Sequence, residues 1–133
     1  MSELAGYNTR VVVAPITGGT AGTVTLPLFP APFGGVTIDG AWATAAGAVA
    51  ANGSNYATMT LVNGGTAGTA TTAVGTAGGT VGWSASTPAA FSVNTGAKTL
   101  TEGQWLVAKY AVTGSVTAPG DVAITIRYKH GKG

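Results

Sequence analysis

From Asp121 to Lys129 the chain reads DVAITIRYK, and this strict alternation is what most restricts the fold. Val122, Ile124, Ile126 and Tyr128 take one side of an extended segment, with Ala123, Thr125, Arg127 and Lys129 on the other. A period of two suits a half-buried strand, not a helix. WLVAKYAVT at 105–113 repeats the pattern, with Leu106, Ala108, Tyr110 and Val112 apolar and Lys109 facing water. NYATMTLVN at 55–63 sets Ala57, Met59 and Leu61 against Tyr56, Thr58, Thr60 and Val62.

The same reading predicts strands at 7–15, 23–29, 36–42, 69–74, 80–85 and 89–94. Pro27 inside TVTLPLF argues for an edge strand or a bulge, because proline cannot donate to a ladder. ATAAGAVAANGS at 43–54 reads as an Ala-rich loop, since Gly47 and the NGS turn break any helix. Eight or nine short strands without a helix imply an all-β, antiparallel, jelly-roll-like sandwich. Residues 1–6 are expected to form a mobile arm, so that 1–10 hold the N-terminal arm and the start of the first strand and 11–133 a single sandwich domain.

Composition agrees with sheets. Gly (22), Thr (22) and Ala (24) supply 68 of 133 residues, while Val, Ile, Leu, Met, Phe, Trp and Tyr supply 36, fourteen of them Val. A core built from so few large groups is thin and β-branched, which suits two facing sheets better than a bundle. With net charge +2 and mean hydropathy +0.34, the chain falls outside the disordered class. There is no cysteine, so disulfides and thiolate chemistry are excluded. The opening MSELAGYNTR lacks the apolar stretch of a secretory signal, and no segment has the ~20 apolar residues of a spanning helix. A soluble protein is expected.

Charge is sparse. Ten residues are charged, and none of the 58 between Asp39 and Lys98 is. Such a surface steers no charged partner from a distance, so recognition must rest on shape, hydrogen bonds and apolar contact. It also leaves sheet edges without the lysines that usually discourage edge-to-edge pairing. Prolines and bulges must protect those edges, or an assembly must cover them; assembly is the expectation.

GGTAGT occurs at 18–23 and 64–69, and GTAGGT at 75–80. No copy has the lysine of a phosphate loop, and the segment after each reads as strand, so a nucleotide cradle is excluded and turns are expected. Catalytic material is scarce. His130, the only histidine, sits in a tail expected to fray, and Glu3, Asp39, Glu102 and Asp121 follow no ligand spacing and read as turn or strand-end residues. No enzyme, cofactor or metal site is expected. Arg127, Lys129 and Lys132 are too few to hold nucleic acid at physiological salt. Of Trp42, Trp83 and Trp105, alternation turns Trp105 outward, toward an interface or the rim of the core.

The run NGSNYATMTLVNGGTAGT, then LTEGQWLVAKY and APGDVAITIRYK, resembles small jelly-roll capsid decoration, or cement, proteins of tailed bacteriophages. The chain departs from that pattern at Gln104, where an acid is common, and in having Trp105 at the start of its strand. The resemblance implies a non-enzymatic homotrimer, made in the bacterial cytoplasm, that sits on the outer capsid surface and bridges major capsid protein subunits. Leu4, Tyr7 and Arg10 from the arm, with Trp42 and Trp105, are the expected contact residues. The same residues also fit a minor tail or fibre-associated structural protein, or a carbohydrate-binding module that uses the tryptophans.

Overall fold

The computed structural model describes residues 7–16, 20–69, 72–117 and 119–131. Their long strands are β1 (Tyr7–Ile16), β2 (Thr20–Pro30), β3 (Val36–Ala45), β4 (Tyr56–Asn63), β5 (Thr72–Gly79), β9 (Trp105–Ser115) and β10 (Gly120–His130). Three two-residue strands complete the set: β6 (Ala89–Ala90), β7 (Ser92–Val93) and β8 (Thr99–Leu100). The first sheet runs β1-β10-β3-β6, with β8 also on β3, and the second runs β2-β9-β4-β5-β7. All pairings are antiparallel. The first strand lies beside the last and, apart from the β4–β5 hairpin, successive strands lie in opposite sheets, so the two antiparallel sheets pack as a sandwich.

The alternations position the core. Leu106, Ala108, Tyr110 and Val112 of β9 and Val122, Ile124, Ile126 and Tyr128 of β10 are all buried, as are Ala57, Met59 and Leu61 of β4. Full burial of one Leu or Ile is worth about 1.5–3 kcal/mol, so these three strands carry much of the stability. Ala41, Ala43 and Ala45 of β3 join the same cluster and keep the core thin. Pro27 is on an edge strand and beside a bulge: β2 borders only β9, and its register shifts between Pro27 and Phe29.

Several expectations need correction. There are ten described strands, not eight or nine, because 89–94 splits in two around Phe91 and 99–100 is too short to show a period. The strand expected at 80–85 is a turn with one isolated bridge, Val49 to Trp83. Gly79 and Gly82 have φ of 93° and 78°, and Gly82 N donates to Gly79 O, so the chain reverses there. The strand expected at 69–74 is β5, at 72–79.

GGTAGT at 64–69 is a turn, with Gly65 and Gly68 at φ 70° and 76°. GTAGGT at 75–80 lies mostly within β5. Gly75 is needed there because a Cβ would lie 2.9 Å from Ser92 O of neighbouring β7. Asp39 is not at a strand end. It is the extra residue of a bulge inside β3, where Arg127 pairs with Gly40 and Tyr128 with Ile38. Nor does His130 fray: it closes β10 opposite Val36, edge-on to the Tyr128 ring at 5.9 Å.

Candidate interaction surface

The outer face of the first sheet follows from its register, because residues directly opposite on neighbouring strands share a face. Val11 of β1 is opposite Thr125 of β10, which is opposite Trp42 of β3, which is opposite Ala90 of β6. One row along, Val13 meets Ala123 and Ala123 meets Thr44. These are the positions between the buried Val122, Ile124 and Ile126, so they look away from the core. Val11 is 55% and Val13 59% exposed, while Trp42, Thr44, Ala123 and Thr125 are half-buried. A shallow hollow of about 240 Å³ lies among Trp42, Thr44, Pro88 and Thr125. The result is a strip of small, uncharged side chains across four strands, with one large aromatic near its centre.

Trp42 lies along its own strand. Its ring covers Gly40, where a Cβ would come within 2.9 Å of Cη2. The Arg127 guanidinium is 5.4 Å from the ring centroid, and Arg127 Nε donates to Asp39 Oδ2 at 2.8 Å. Such exposed cation–π and ion-pair contacts are each worth about 1 kcal/mol or less. Their effect is to pair the charges at one end of the strip, since the Asp39 bulge is what brings the carboxylate within reach of Arg127.

The other expected contact residues do not join Trp42. Arg10 is opposite Ile126, on the inner side of β1, and its guanidinium sits 4.5 Å from the Phe29 ring centroid of β2. Phe29 in turn stands 5.8 Å from Tyr128, so Arg10 closes the open flank between the sheets. Trp105 belongs to the second sheet. It pairs with Pro30, and its backbone N donates to Gly65 O while its carbonyl accepts from Gly64 N. The 64–68 turn thereby folds onto Val107, leaving Trp105 half-buried beside it. Asn63 Oδ1 accepts from Gly65 N, and Gln104 Oε1 accepts from Asn63 Nδ2 and Thr101 N. Leu4 and the Tyr7 side chain are outside the described residues.

Trp83 is a core residue, with its indole Nε1 donating to Ala57 O at 2.9 Å. Near it, the 46–55 and 80–88 loops enclose a hollow of about 580 Å³ with Val81 77% exposed at its rim and no charged side chain in its wall. That hollow lacks the convergent polar groups that orient a small ligand. Among the described residues no three of His, Asp and Glu come together. Tyr110 is the one buried polar side chain without a partner among the described residues, and burial raises its hydroxyl pKa.

The neutral strip was only half visible in the sequence. Trp42 stood out by residue type, whereas Val11, Val13 and Ala123 needed the β1-β10-β3 order to become neighbours. The one signal in the letters was that Ala123 and Thr125 are uncharged outward positions of β10 between the charged Asp121 and Arg127. Comparisons with protein-family models, with curated proteins and with solved structures found no match.

Proposed function

We propose that this chain is a structural protein of a bacteriophage virion that decorates the outer capsid surface and bridges major capsid protein subunits. The observation that carries the reading is the uncharged strip on the first sheet, from Val11 and Val13 through Thr125 and Ala123 to Trp42 and Thr44. A flat face of this kind suits burial against another protein surface, where aromatic anchors surrounded by small neutral groups contribute most. The antiparallel two-sheet sandwich supports the same reading, being the architecture that the sequence resemblance implies. Several weak contacts made at once by one symmetric oligomer would hold it to a repeating shell, because the second and third binding events become intramolecular.

The test is the copy number of the chain in purified virions of the phage that encodes it, with its position imaged. Stoichiometry with the major capsid protein and density on the outer shell are expected. A handful of copies at the tail, or none, would overturn the reading.

A further inference from the structure

The two sheets have four edges, and three are managed. The second sheet ends on one side at β7, and the first ends beyond β3 at β6 and β8, all two residues long. Edges this short offer too few groups to template a further strand. On the other flank, β2 carries Pro27 and Pro30 and shifts register between Thr20 and Gly22 and again between Pro27 and Phe29. β1 differs from all of these. Its ten residues pair with β10 without a shift, its only proline is Pro15 near the end, and its only charge is Arg10, whose guanidinium lies over Phe29. The outer side of β1 has no strand partner among the described residues.

We propose that β1 pairs with β1 of a second copy of this chain, antiparallel about a two-fold axis at Val12. Two identical edges meeting residue for residue are related by a two-fold axis, so the interface is isologous. With Val12 on the axis, Val11 stands opposite Val13 of the second copy and Val13 opposite its Val11, which covers two valines that are each more than half exposed in one chain. Arg10 falls opposite Ala14 of the second copy. The two Arg10 positions are then four residues apart along the strands, about 13 Å, beyond the ~8 Å screening length at physiological salt.

No other charge lies between Arg10 and Asp39, so this register brings no like charges together. Even residue parity keeps the outer faces aligned, and the two neutral strips become one. The inference goes beyond the capsid reading and does not rest on it. A three-fold axis cannot set β1 against β1, so for the free protein the edge points to two copies where the resemblance implies three.

The full chain is measured alone by sedimentation equilibrium. A mass twice the 12.9 kDa of one chain is expected; a monomer or a trimer overturns the proposal. Val11→Lys with Val13→Lys sets lysine against lysine across the axis and should yield monomers. Val11→Lys with Val13→Glu sets lysine against glutamate and should remain dimeric at low salt, loosening as salt rises. Two variants with the same oligomeric state would overturn the register. As a measurement on a minimally changed fold, Val12→Cys introduces the only thiol of the chain. Directly opposed residues have Cα atoms about 4.5–5.5 Å apart, within disulfide range. Mild oxidation should therefore give a covalent dimer, while Thr117→Cys, on the end loops, should not. Equal cross-linking of the two, or none at position 12, would also overturn it.

Discussion

Gly78→Ala should be among the most damaging one-carbon changes in the chain. Gly78 sits in β5 at φ 81°, where an L side chain costs about 1–2 kcal/mol. A Cβ there would lie 2.5 Å from Cε2 and 2.6 Å from Nε1 of Trp83, well inside the ~3.5 Å of a normal carbon contact. The indole cannot yield freely, because it is only 6% exposed and holds its 2.9 Å bond to Ala57 O. Overpacking costs about 1–3 kcal/mol, and loss of the hydrogen bond about 0.5–1.5 kcal/mol. A destabilisation of about 3–5 kcal/mol results, or a fall in Tm of roughly 10–20 °C for a domain of this size.

The assay is urea or thermal unfolding followed by circular dichroism, with Gly68→Ala as control. Gly68 has φ 76° but nothing within 4 Å of its Cβ position, so it should lose only the backbone part, about 1–2 kcal/mol. In a Trp83→Ala background the cost of Gly78→Ala should drop to that of Gly68→Ala. Equal costs for the two glycines in the unmodified chain, or a Gly78→Ala cost indifferent to Trp83, would refute the reasoning.

Tyr110→Phe should stabilise the fold by about 1 kcal/mol, because it removes a buried hydroxyl that has no described partner; the unfolding midpoint reads this directly. The folded-state pKa of Tyr110 is raised above 10.0 by desolvation, so the unfolded chain loses that proton first. Its contribution is intact below pH 10 and is lost as pH climbs from there through the folded value. Unmodified protein should therefore lose stability more steeply above pH 10 than Tyr110→Phe does, and parallel curves would count against this. Ala123→Glu places a charge in the middle of the neutral strip. It should leave the fold within about 0.5 kcal/mol yet weaken co-sedimentation with capsids about 100-fold or more, as expected for burying an unpaired carboxylate; undiminished binding would remove the strip from the capsid interface.

The long strands were legible because their side chains alternate without interruption. β9 and β10 show every inward position in the letters alone, and Pro27 announced its edge. What stayed hidden depended on neighbours distant in sequence. GGTAGT and GTAGGT are nearly the same string, yet one turns beneath Trp105 and the other runs as β5 beneath Trp83, a choice made by which indole and which strand lie alongside. β8 is held by backbone pairing to β3 and is too short to carry a period, while the strand expected at 89–94 divides into β6 and β7 because its halves pair with different sheets. Arg10 was expected at an interface as part of the N-terminal segment that the resemblance implies reaches across a shell. Its partner is Phe29, on the next strand but in the opposite sheet, and only the facing of β1 and β2 shows this.

The bulge at Asp39 has a consequence for how this sequence can vary. Val36 and Ile38 point into the core before it, and Ala41, Ala43 and Ala45 after it, so β3 changes phase at a single residue. Deleting Asp39 would restore an unbroken alternation with all five still inward and would remove the carboxylate that meets Arg127, whereas adding a further residue beside it, with the bulge kept, would turn one half of the strand inside out, expelling Val36 and Ile38 or the three alanines. A one-residue insertion should therefore be far more harmful here than deletion of Asp39, and more harmful than an insertion in the 46–55 loop on the C-terminal side of the strand.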